Sequence, residues 1–145
     1  MSDARELLFN VSAVAIRNRA LILEGPPGSG KSSLALALID RGAQLIGDDG
    51  VRLERVGTQI VAHPPPHTAG MLEIRGVGLV EIAPAAPTAL ALILSLANDC
   101  ERLPETANTR THLGIDIPAL PFVPGAMAAA PRAEWALTKF GLAAT

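Results

Sequence analysis

Lys31 and Ser32 close the stretch "GPPGSGKS", Gly25 to Ser32, and two aspartates, Asp48 and Asp49, stand 17 positions beyond the lysine (48 − 31). An ammonium, a hydroxyl and two carboxylates this close in sequence suit the handling of phosphate. Gly25, Gly30, Lys31 and Ser32 fill every fixed position of G-x-x-x-x-G-K-[ST], with Pro26, Pro27, Gly28 and Ser29 between them. Glycines let backbone N–H groups approach phosphate oxygens without a Cβ in the way. The helix expected to follow, which takes in Ser33, adds the partial positive charge of its N-terminus. Lys31 is suited to neutralise β- and γ-phosphate charge, and Ser32 to offer its hydroxyl to Mg²⁺. The plain alternative is a glycine-rich turn that binds nothing. An apolar strand before the loop and a helix after it argue against that alternative. The loop predicts nucleotide binding without choosing a reaction.

The aspartates narrow the choice. A strand ending beside the loop can present one carboxylate to a metal and the other to a substrate. Mg²⁺ needs few protein carboxylates beside phosphate oxygens and water, so a second one is free to take a proton from an attacking hydroxyl. The competing reading is a solvated turn, since Gly47-Asp48-Asp49-Gly50 has good turn chemistry. A later stretch, "LEIRGVGLVEI", Leu72 to Ile82, places Glu73 and Arg75 at i and i+2, on one side of a strand. Exposure to solvent is the ordinary reading of such a pair.

These residues need elements to position them. Val11–Ile16 and Ala20–Glu24 read as a hairpin around Arg17-Asn18-Arg19, its second strand feeding the loop. Lys31 to Arg41 reads as a helix stopped by Gly42. Gln44–Gly47 is a short buried strand, and Val51–Val56 and Gln59–Ala62 form a hairpin around Gly57-Thr58. Ala62 to Gly70, with three successive prolines, predicts an extended loop. "MLEIRGVGLVEI" is strand-like but interrupted by Gly76 and Gly78, and Pro84–Pro87 leads into an apolar strand over Ala89–Leu96. Pro118, Pro121, Pro124 and Gly125 suggest a broken, irregular stretch. Pro131–Phe140 suggests a closing helix with Trp135 as a packing anchor. His63 and His67 flank the prolines and read as polar loop residues rather than a metal pair. His112, Arg102 and Cys100 lie in no motif.

The chain has 145 residues, fitting one domain over positions 1–145, and 49% of them are hydrophobic with aromatics at 3%, so an aliphatic core is expected. A net charge of −2 and a pI near 5.9 leave no basic footprint for nucleic acid or anionic membrane. Residues Met1 to Leu8 lack the pattern of a signal peptide, and the apolar run Ala89–Ala97 falls short of the ~20 residues that cross a bilayer. With a lone cysteine as well, a cytoplasmic setting is expected.

Loop, early aspartate pair and "EIRGVG", in this order and spacing, resemble the catalytic domain of HPr kinase/phosphorylase, from about Val11 to Pro104. The resemblance implies an α/β fold, a P-loop kinase domain with a mixed β-sheet flanked by helices, like the nucleotide-binding core of PEP carboxykinase. It implies an ATP- and Mg²⁺-dependent protein serine kinase acting on an HPr-type phosphocarrier of a bacterial phosphotransferase system. Gly25 to Ser33 hold the ATP phosphates in this picture, Lys31 among them. Asp48 is the general base, Ser32 and Asp49 help hold Mg²⁺, Glu73 supports the metal and the catalytic geometry, and Arg75 lies beside the site. A hexamer is implied as well, and so is a short form without the N-terminal domain of longer members. Departures are visible. Asn10 falls at or near a position usually held by histidine, Ser33 stands where an acid is common, and Phe122 to Arg132 has no arginine around Pro124-Gly125. Kinase activity with little phosphorolysis is the resulting expectation. Two other readings stay open: a nucleotide-binding sensor with weak transfer activity, and a small-molecule kinase.

Overall fold

The computed structural model describes residues 4–125 and 127–144. Strand β1, Arg5–Phe9, is an edge strand paired antiparallel with residues 50–54; its exposure alternates although the residue types in "RELLF" do not, which kept it hidden in the sequence. β2 (Val11–Ile16) and β3 (Arg19–Glu24) form the expected hairpin, with Arg17 and Asn18 at φ +50° and +66° in its turn. Helix α1, Lys31–Asp40, ends where expected: Ala43 N–H reaches back to Leu38 C=O (3.0 Å) past Gly42 at φ +107°. β4 (Gln44–Gly47), β5 (Gly50–Val56) and β6 (Gln59–His63) follow the expected order. The glycine-interrupted stretch is a hairpin of its own, β7 (Met71–Ile74) and β8 (Gly78–Glu81), forming a separate two-stranded sheet.

β9, Thr88–Leu96, is the axis of the main sheet. One flank pairs in parallel with β3, and the other takes β6 at its start and the later strand β11 (Ile115–Phe122) at its end. The main path runs β1-β5-β6-β9-β3-β2-β4. β4 thus lies at one edge while β5 lies near the other, yet only Asp48 and Asp49 connect them. Laid flat, the strand spacings between them would span about 24 Å at ~4.8 Å each, whereas the link reaches about 11 Å. The sheet must curl, and it does so around a core of Ile22, Ile46, Val51, Leu53, Ile60 and Ile93. On its other face Leu21, Leu23, Leu92 and Leu94 pack against Leu34 and Leu38 of α1 and Ala133 and Leu137 of helix α2 (Ala129–Phe140). Burial on both faces is why β3 and β9 read as unbroken apolar runs rather than alternating ones.

The tail departs from expectation twice. In place of an irregular proline stretch, β10 (Asn108–His112) and β11 form a hairpin. β10 covers β11 over Ile115–Ala119 and β9 covers it over Ala119–Phe122. Pro118 and Pro121 therefore each sit where β11 is paired on one side only, so a missing N–H need break no ladder bond. In α2 the buried residues are Ala130, Ala133, Ala136 and Leu137, which turns Trp135 outward, 72% exposed. It is no packing anchor: the small alanines let α2 sit close to the sheet, and the indole lies on the opposite face. Residues 1–3, at the charged start, and Ala126, within the Phe122–Arg132 stretch, lie outside the described residues.

Candidate active site

β3 delivers the loop. Glu24, its last residue, is ion-paired with Arg110 of β10, and Ser29 N–H closes a turn onto Pro26 C=O (3.1 Å). Gly28 and Gly30 have φ of +80° and +101°, a region that disfavours any side chain. Gly30 is the N-cap of α1 and provides no side-chain cap, so the helix opens with N–H donors available to an anion. Lys31 Nζ donates to Gly25 C=O (2.6 Å) and Pro26 C=O (3.3 Å), which holds the ammonium over the loop.

The aspartate turn meets this loop from the side. A Cβ on Gly47 would lie 2.0 Å from Gly50 C=O, so the chain can reverse this tightly only with glycine there. Asp48 is 9% exposed. Its Oδ1 accepts hydrogen bonds from Ser32 Oγ (2.7 Å) and Ser12 Oγ (2.9 Å), and its Oδ2 accepts one from Glu73 N–H (3.1 Å). Asp49, at φ +74°, turns the other way: its side chain is exposed, and its C=O accepts Asn10 N–H (3.1 Å).

Ser32, Asp48 and the backbone of Glu73 are therefore brought together, and Asp49 is not placed against Ser32. The Glu73 and Arg75 side chains are exposed. They line a cavity of about 260 Å³ shared with Gly28, Lys31, Ser32 and Ser33. A second cavity, about 450 Å³, flanks the loop on its other side, between Pro26, Pro27, Asn98 and Pro124. A larger one, about 520 Å³ beside Arg17 and Thr88, touches none of the motif residues. His63 belongs to β6 and pairs with Glu54 (2.9 Å). Among the described residues no group of three or more His, Cys, Asp and Glu side chains is arranged to hold a metal. The hard oxygen donors Ser32 and Asp48, beside open backbone donors, do fit Mg²⁺ bound together with phosphates. Ser12 escaped the sequence reading, although a lone hydroxyl in "VSAVAI" was a signal available to it.

A family model described as HPr Serine kinase C-terminal domain matches residues 4–130. The chain belongs to this family. Curated relatives named HPr kinase/phosphorylase include one from Clostridium beijerinckii, 38% identical over 76 residues, covering 52% of this chain and 24% of that protein. Another, from Lactobacillus acidophilus, is 31% identical over 118 residues, covering 72% of this chain and 37% of that protein. The chain thus spans only 24% and 37% of those relatives' lengths. The solved structure of the Hpr(Ser) kinase/phosphatase from Coxiella burnetii superposes with a TM-score of 0.78 at 26% identity, covering 92% of this chain and 94% of that one. The mixed, curled sheet flanked by α1 and α2 is the fold of the HPr kinase C-terminal domain.

Proposed function

We propose that this chain is an ATP-dependent protein serine kinase whose acceptor is an HPr-type phosphocarrier. The observation that carries the reading is the Ser32–Asp48 contact at 2.7 Å, which joins the phosphate loop to a carboxylate fixed on three sides. Loop N–H groups and the start of α1 bind and orient the ATP phosphates, and Lys31 turns its ammonium from the loop carbonyls to their oxygens. Ser32, helped by Asp49, would hold Mg²⁺, which would supply charge neutralisation at the β- and γ-phosphates. Asp48 accepts the proton of the attacking serine hydroxyl. Glu73 and Arg75, on the wall of the adjoining cavity, orient the metal side and the acceptor. Positioning and charge neutralisation supply most of the acceleration.

A second assignment is favoured by one observation. Because Ser32 touches Asp48 and not Asp49, Asp48 also suits the metal side, with the exposed Asp49 as proton acceptor. Labelled ATP, Mg²⁺ and a purified HPr-type carrier test both. Asp48→Asn is expected to lower kcat by about 10²–10⁴-fold while Mn²⁺ affinity in the presence of ADP changes little. A large loss of Mn²⁺ affinity in Asp48→Asn, with the kcat loss moving to Asp49→Asn, exchanges the two roles. Tight ATP binding with no transfer to any carrier sinks the kinase and leaves a nucleotide sensor.

The reaction is expected to run forward with little phosphorolysis. Arg132, the arginine nearest Pro124-Gly125, donates to Val123 C=O (2.8 Å) and Met127 C=O (3.1 Å), so its guanidinium is engaged with backbone. A single-domain chain over 1–145, a hexameric assembly and a cytoplasmic setting complete the proposal, and sedimentation reads the assembly.

A further inference from the structure

Ser12 is 1% exposed on β2, in a strand whose other residues are apolar. The register brings it to the site. Ala13 pairs with Gly47 in the antiparallel β2–β4 ladder, so the residue before Ala13 lies opposite the residue after Gly47, which is Asp48. Burying a hydroxyl is unfavourable unless it is hydrogen-bonded, and alanine would meet every packing need of an apolar strand. The Ser12 Oγ bond to Asp48 Oδ1 (2.9 Å) is what distinguishes it from such an alanine. Oδ1 has two acceptor directions, filled by Ser12 and Ser32, while Glu73 N–H occupies Oδ2. Ser32 and Glu73 sit on the phosphate loop and the β7–β8 hairpin, both facing the ligand side. Ser12 alone among the three donors holds Asp48 from within the main sheet.

We infer that Ser12 is a positioning residue: its hydroxyl fixes the Asp48 carboxylate so that one oxygen is shared with Ser32 and the orientation survives ligand exchange. The inference rests on the reading of Asp48 as the reactive carboxylate. Ser32 needs its own hydrogen on Oδ1 to leave its lone pairs toward a metal, and a carboxylate free to rotate would lose that alignment. Donors that orient a reactive or metal-side group in this way contribute about 10–100-fold to activity or metal affinity.

The test uses the full chain and the variants Ser12→Ala and Ser12→Thr, with thermal unfolding recorded for each. Ser12→Ala should fold, keep KM for ATP within about twofold and lose about 10–100-fold in kcat for carrier phosphorylation. Ser12→Thr keeps the hydroxyl and should retain most of the wild-type kcat. A folded Ser12→Ala with wild-type kcat overturns the inference, as does an equal loss in both variants, which would assign the effect to shape. If wild-type protein phosphorylates no carrier, it is the kinase reading that fails. Ser12 is then judged by amide exchange at Glu73, whose N–H bonds the same carboxylate: clearly faster exchange there in folded Ser12→Ala, with Ser12→Thr like wild type, supports the inference, and an unchanged rate overturns it.

Discussion

The loop and aspartate turn contrast with the β7–β8 hairpin that faces them. β3 and β4 bring Lys31, Ser32 and Asp48 into place, and Leu21, Ile22, Leu23, Leu45 and Ile46 along those strands are 0% exposed. The hairpin carries Glu73 and Arg75 on a two-stranded ribbon whose one buried residue is Leu72. Such a ribbon has little stability of its own. Leu72 and the Glu73 N–H bond to Asp48 tie it to the rest. One side of the site is thus built into the core, and the other is docked onto it. Opening the docked side exposes far less apolar surface than opening the sheet, so it costs less free energy.

The largest effect that probes this contrast comes from two leucine truncations. Leu38→Ala, in the core under α1, should lower stability by about 2–5 kcal/mol in urea unfolding. Leu72→Ala should instead accelerate amide exchange across residues 71–81 while shifting the global midpoint much less. Equal shifts in the two variants would make the hairpin part of the core and break the comparison. Gly47→Ala should come next, at about 1–3 kcal/mol, because its Cβ meets Gly50 C=O and the chain must give way. Its ATP affinity should fall as well, since Asp48 moves with the turn; normal affinity in a folded variant would show that the turn can relax without moving the carboxylate. Smallest in stability are Glu73→Gln and Arg75→Ala, within about 0.5 kcal/mol by thermal unfolding. Their expected signature is reduced carrier phosphorylation without unfolding, and a clear drop in stability would mean that these side chains hold the hairpin down.

The same contrast explains what the sequence disclosed. Gly25 to Ser32, the helix from Lys31 and the strand Gln44–Gly47 are legible because local chemistry and tertiary role agree there. "EIRGVG" is legible as a motif, but its separation into a sheet of its own is not, since pairing partners leave no trace in one short strand. β11 was masked by Pro118 and Pro121, whose tolerance depends on where β9 and β10 begin and end against it. Trp135 misled because its size suggested burial, whereas the alanines around it set the face that α2 presents. Ser12 stayed hidden because its partner lies 36 positions away, across a register that only the folded sheet reveals.

The link between β4 and β5 carries one more consequence. Asp48 and Asp49 sit at the seam where the sheet's two ends are brought side by side, and closing that seam depends on pairings remote in sequence, such as β3 with β9. Contacts of that kind form slowly because the chain between them must first be ordered. A partly folded chain can have its glycine loop and first helix yet lack an aligned carboxylate. The topology therefore makes the aspartate turn a late-closing part of the fold: Asp48 meets Ser32 only once the two ends of the sheet have come together.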